Sequence, residues 1–269
     1  MKQVIIFIFV FLGVSVLYLV SLPLQKVFVL PLTGLTHTVN GIVLVLIGLK
    51  LKKDLLGSTS ADLAKKYFMY FFFSVGMFQL VMGLPHVVLY FNQAAFAPVI
   101  TWAYIIGHMF LYLSLAFTVM VPLELAFPGK KIKNIYFSLI ALFGLFITYI
   151  NIIKPNNPIY ESKTGITLLN ADPLVGKLIP VIVLLSWGVS ALIFLYNGIK
   201  SRHNRLAIVR SSVISLGFIL LIVGGPMHDL ARTSLQFLMA DILTIFGFLV
   251  LASGTLLKLR ISETVVEQV

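Results

Sequence analysis

Long apolar runs separated by short polar breaks dominate the chain. Eight runs reach the ~20 residues that a helix needs to cross the bilayer's hydrocarbon core. They cover about 3–23, 31–50, 67–91, 97–123, 134–153, 177–199, 206–228 and 234–257. The narrowest break is the first, where Pro23, Gln25, Lys26 and Pro31 separate the opening run from the next; without it the count falls to seven. The first run follows Lys2 but is long for a signal-peptide core, and no small-x-small cleavage pattern follows it, so it is expected as a helix. The pattern predicts an all-α, polytopic integral membrane bundle, with residues 1–269 forming a single transmembrane domain and no soluble domain. The longest break, about 154–176, carries Pro155, Asn156, Asn157, Pro158 and Gly165, which mark turns.

Composition agrees with that pattern. Hydrophobic residues make up 59% of the 269 and charged residues 11%, against about a quarter charged in soluble domains. A soluble enzyme, a secreted scaffold and a nucleic-acid reader are all excluded on this balance. Cysteine is absent, which removes disulfides, thiolate metal sites and cysteine-held clusters. The net charge of +11 is an orientation signal. With the N-terminus inside, fifteen of the twenty Lys and Arg fall in alternate, cytoplasmic segments. These are Lys2; Lys50, Lys52, Lys53, Lys65 and Lys66; Lys130, Lys131 and Lys133; Lys200, Arg202, Arg205 and Arg210; Lys258 and Arg260. Only Lys26, Lys154, Lys163, Lys177 and Arg232 fall outside. The expected topology therefore has both termini cytoplasmic.

Ionisable groups inside apolar runs are costly and point to function. His37 and His86 lie roughly 9 and 8 Å below one face by the helical rise of ~1.5 Å per residue. His228 falls at the interface, and His108 roughly 16 Å deep. His203, among Arg202 and Arg205, belongs to a solvated loop. Each membrane histidine sits on a stripe of small or polar residues spaced three or four apart: Thr33, His37, Asn40 or Gly41 and Gly48; Gly76, Gln79, Gly83, His86 and Tyr90; Thr101, Tyr104, His108 and Tyr112; Gly217, Gly224 and His228. Such stripes face the bundle interior.

Four functional expectations follow. A b-type haem could be held by His37 and His86, at matched depth beside glycines, with His228 as a substitute ligand. That would make an electron-transfer subunit working with quinone or other membrane subunits. A divalent metal such as zinc could take His37, His86, His228 and Asp229, as in a membrane hydrolase. A carrier or channel could use a polar path of Asn40, Gln79, His108 and Asp241. A non-catalytic packing subunit would use the histidines only as interhelical hydrogen-bonding groups. Within this frame His108 is expected to be structural and bonded to Gln79. Asp229 is expected to pair with Arg232 at i, i+3 in a helix end whose last turn Pro226 kinks, and Asp241 to need a partner. No lysine lies in a helix core, which disfavours a chromophore held as a Schiff base.

Overall fold

A computed structural model of the chain describes residues 32–56, 63–88, 93–127, 131–161, 163, 165–201 and 204–256. The first apolar run, 3–23, and His203 lie outside the described residues.

Among the described residues, seven helices long and apolar enough to cross a membrane follow in order. They are α1 Leu32–Leu56, α2 Leu63–Val88, α3 Gln93–Ala126, α4 Ile132–Ile153, α5 Pro173–Lys200, α6 Arg205–Leu230 and α7 Ser234–Leu256. Each falls on one of the last seven apolar runs of the sequence. The protein is thus an all-α, multi-pass membrane bundle. α5 starts with Pro173 after Asp172, whose side chain accepts from the Leu174 amide, and α6 starts after Asn204, which accepts from the Ala207 amide. Both caps satisfy amides that the helix leaves free. α5 is interrupted by a π-helical turn at Leu184–Gly188.

The outside of the bundle is apolar, and its buried polar side chains sit inside among a hydrophobic core. On α4, Leu139, Leu142, Leu145, Phe146 and Tyr149 are exposed along one face, while Ile140, Gly144, Ile147, Thr148 and Asn151 are buried on the other. In lipid the exposed leucines need no cover, and the polar side chains turn inward.

Glycines draw the helices into backbone contact. A Cβ on Gly34 would lie 2.7 Å from the Cβ of His86, and one on Gly83 would lie 2.5 Å from the Thr38 nitrogen. Gly41 meets the backbone of Leu80 and Gly76, so α1 and α2 are locked along most of their length. α6 and α7 are locked the same way: added Cβ atoms at Gly217 and Gly224 would stand 2.7 and 2.8 Å from the nitrogens of Leu251 and Thr244. Small residues allow this approach where no hydrophobic effect drives helices together.

The break between α4 and α5 is more than turns. Strands β1 Ile159–Glu161 and β2 Ile166–Leu168 form an antiparallel hairpin, with Ile159 opposite Leu168 and Glu161 opposite Ile166. Gly165 turns at φ 68°, and Asn170 follows the second strand at φ 46°, left-handed values that Gly and Asn tolerate. The hairpin is tied onto one end of the bundle. The Leu32 amide donates to Gly165 O at 2.9 Å, the Thr167 amide to Thr33 Oγ1 at 3.0 Å, and Arg232 Nη1 to Asn170 Oδ1 at 2.9 Å. Leu169, just beyond β2, is buried and reaches the central cavity.

Candidate functional site: two histidine–aspartate pairs around a cavity

Three histidines are fixed by their own helices. His86, His108 and His228 each place Nδ1 against the carbonyl four residues back: Met82 at 2.5 Å, Tyr104 at 2.8 Å and Gly224 at 3.1 Å. A carbonyl accepts only, so Nδ1 carries the proton, and Nε2 is the atom each ring presents to its surroundings. At His37 the pattern breaks. The Thr33 carbonyl accepts from Thr36 Oγ1 instead, and His37 Nδ1 stands 4.0 Å from the Asp241 carboxylate.

The first pair is His228 with Asp241. Nε2 of His228 lies 2.9 Å from Asp241 Oδ1. Nδ1 is already committed to the carbonyls of Gly224 and Gly225. A contact of that length needs a proton on Nε2 or on Oδ1. The pair therefore holds one transferable proton beyond the fixed one on Nδ1. The rings of His37 and His228 are 5.8 Å apart, edge to face, so His37 flanks the same carboxylate. Thr36 Oγ1 reaches Asp241 Oδ2 at 3.5 Å. The aspartate expected to need a partner has one.

The second pair is His108 with Asp229. Tyr104 donates its hydroxyl to Asp229 Oδ1 at 2.6 Å, and His108 Nε2 is 3.8 Å from the same oxygen. Tyr104, His108 and Asp229 are all buried.

A cavity of about 40 Å³ lies beside His228 and the His108–Asp229 pair. His37, His108, His228, Asp229, Gln79 and Thr244 reach it from five helices, and Trp187 closes it from the π-helical turn of α5. A single water needs ~10–15 Å³, so two or three fit. A smaller space of about 10 Å³ adjoins Thr36, His37, Asn40, Gln79, His228, Asp241 and Thr244.

Several expectations need correction. His108 is not separate from the outer histidines; it shares their cavity and faces Asp229. Depth counted from helix ends misplaced it. α3 has 34 residues, about 51 Å at the helical rise, far longer than the ~30 Å hydrocarbon core, so its first residue does not mark an interface. The expected bond from His108 to Gln79 is not formed, and Gln79 Oε1 has no hydrogen-bond partner. Asp229 does not pair with Arg232. The helix runs through Pro226 to Leu230, which buries Asp229 against Tyr104 and leaves Arg232 to bond Asn170.

His86 is buried but lines neither cavity. Its Cβ is the atom packed on Gly34. The glycines beside His37 and His86, expected to make room for a flat ligand, are filled by the neighbouring helix. A haem sandwiched between these two histidines does not fit that packing. His228, the substitute ligand, has both ring nitrogens engaged. Among the described residues no group of three or more His, Asp or Glu side chains is drawn together to hold a metal ion, so the set His37, His86, His228 and Asp229 is not a preformed zinc site. Of the polar path, Gln79 and His108 line the larger space, and Asn40, Gln79 and Asp241 line the smaller. The sequence reading missed Tyr104, Thr244 and Trp187 as site residues. Tyr104 had a signal, lying four residues before His108 on its stripe. The chain matches no protein-family model and no curated protein.

Proposed function

We propose that the protein moves protons within the membrane, as the proton-handling core of a channel or carrier. The observation that carries this reading is the pairing of His228 with Asp241 and the approach of His108 to Asp229, with His228, His108 and Asp229 lining one water-sized cavity. Chains of carboxylates and imidazoles inside a bilayer are the usual groups of proton relays. Imidazole suits the task because one nitrogen can take a proton as the other gives one up.

Each group has a role in the relay. Asp241 and His228 share a proton, and His37 is the second imidazole within reach of that carboxylate. Water in the cavity would carry the proton to Asp229 and His108. Tyr104 holds the Asp229 carboxylate in place. The packing of α1 on α2 lends no support to an electron-transfer role with haem and quinone. The test is proton uptake by liposomes containing the purified protein under an imposed membrane potential. Wild type is expected to conduct at least tenfold faster than Asp241→Asn, with the lipid-facing Trp102→Phe unchanged. Equal rates in wild type, Asp241→Asn and empty liposomes would reject the proposal.

A further inference from the structure

Trp187 carries a buried donor with no acceptor among the described residues. The residue is 2% exposed, and its Nε1–H has no hydrogen-bond partner. An indole N–H can only donate, and buried donors without an acceptor are rare enough to call for a bound water. The helix is unusual at the same point. Ile179, Val183 and Trp187, four residues apart, all line the larger cavity. In a regular helix of ~3.6 residues per turn each such step drifts by about 40°, so the third residue would turn off the face. The π-helical turn Leu184–Gly188 is wider and keeps Trp187 at the cavity wall. Ser186 Oγ donates to Leu115 O at 2.5 Å and ties that turn to α3. The indole packs on α6, where a Cβ on Gly225 would stand 3.3 Å from Trp187 Cζ3. The Gly225 carbonyl is one that His228 Nδ1 bonds, so Trp187 rests on the turn that orients His228.

At the cavity the His228 nitrogens and Asp229 Oδ1 already have partners. Trp187 Nε1, Gln79 Oε1 and Thr244 Oγ1 have none among the described residues, and all three residues line the cavity. Their chemistry is mixed: one donor, one amide carbonyl that accepts, and one hydroxyl that does either. Water both donates and accepts, so it meets all three without bringing a charge into the membrane. With polar partners on three helices and about 40 Å³ of room, the cavity meets the conditions for buried water. We infer that Trp187 is a positioning residue of the relay: its indole N–H holds a cavity water in the orientation that hands a proton from the His228–Asp241 pair to His108.

The inference rests on the proton reading above, whereas the bound water does not depend on it. A water that accepts from Trp187 keeps one lone pair for an incoming proton and both of its own protons to give. It takes a proton from the His228–Asp241 pair and releases one of its own to His108 Nε2, whose Nδ1 proton is held by the Tyr104 carbonyl. One O–H bond forms as another breaks, and the positive charge moves with the proton. Without the indole N–H the same water turns freely, and fewer of its orientations conduct. Tryptophan cannot accept, so it never competes with His108 for the proton.

The chain has two tryptophans, so Trp102→Phe leaves Trp187 as the sole indole. The test places an isotope label on that indole nitrogen in the whole protein, purified into nanodiscs, and pairs the magnetic resonance spectrum with proton uptake by liposomes. One indole N–H resonance is expected, with magnetisation transfer to water protons despite the burial of the residue. Trp187→Phe should lower conduction at least tenfold. Should that variant misfold, the tryptophan isostere in which sulfur replaces the N–H keeps the shape of the ring. The isostere should lose conduction at least tenfold while its unfolding temperature stays at the wild-type value, a split that lost packing does not give. Wild-type conduction in the isostere, still abolished by Asp241→Asn, would overturn the role of Trp187 and leave the proton reading intact. An indole N–H without water contact would overturn it as well. Water contact in a protein that conducts no faster than empty liposomes would reject the proton reading, and with it the relay role of Trp187, leaving a structural water.

Discussion

At the scale of single residues, hydrogen-bond partners separate hydroxyls that look alike in sequence. Tyr104 and Tyr112 sit on the same stripe of α3, and both are buried. Tyr104 donates to Asp229, whereas the hydroxyl of Tyr112 has no partner. Removing a hydroxyl that bonds a buried carboxylate costs about 1–3 kcal/mol, and removing an unpaired one costs little. Tyr104→Phe should therefore lower the unfolding temperature in detergent, and Tyr112→Phe should leave it unchanged or raise it. Equal effects would mean that Asp229 draws nothing from Tyr104. Asp229 also marks where a local rule misled. Its spacing to Arg232 suits an i, i+3 ion pair, but the helix ends at Leu230, before Arg232, and tertiary contacts decide both partners.

At the scale of elements, the helices were legible because lipid permits few alternatives. A spanning segment must satisfy its own backbone and be apolar for ~20 residues, so seven runs became seven helices with ends shifted by only a few residues. The stripes around His37, His108 and His228 were legible as inward faces for the same reason. What sits opposite each stripe was not, because it depends on how far each helix slides along its neighbour. The glycines show this. In sequence they could admit a ligand or a helix, and the structure gives them to helices. Gly83→Ala would drive a methyl into the Thr38 backbone, 2.5 Å away, and overpacking of this kind costs about 1–3 kcal/mol. Gly176→Ala meets only Leu230 Cδ2 at 3.5 Å and should be neutral. Unfolding temperatures of the two variants check the contrast, which fails if both fall alike. The hairpin at residues 159–168 was missed beyond its turn residues. Its strands have three residues each, too short for an alternating pattern to show.

At the scale of the whole molecule, the charge asymmetry of the loops sets the expected orientation. The hairpin, Arg232 and the ends of α1 and α6 nearest the cavity belong to the side poor in Lys and Arg, and the cytoplasmic side is expected to hold both termini. A C-terminal tag should be protected from protease in intact cells and cut after permeabilisation; cleavage in intact cells would invert the topology. The proposed proton site then lies in the leaflet nearer the hairpin, roofed by Leu169 and walled by α1, α2, α3, α5, α6 and α7. In the proposed relay Asp241 reaches the cavity of Asp229 through His228, so the two aspartates would act in series rather than as independent paths. The most direct measurement is the proton conductance of proteoliposomes carrying Asp241→Asn, Asp229→Asn and the double variant, each shown to be folded by its unfolding transition. A series relay predicts that each single variant loses nearly all conductance and that the double is no worse than the poorer single. Wild-type conductance in either single variant would contradict the relay.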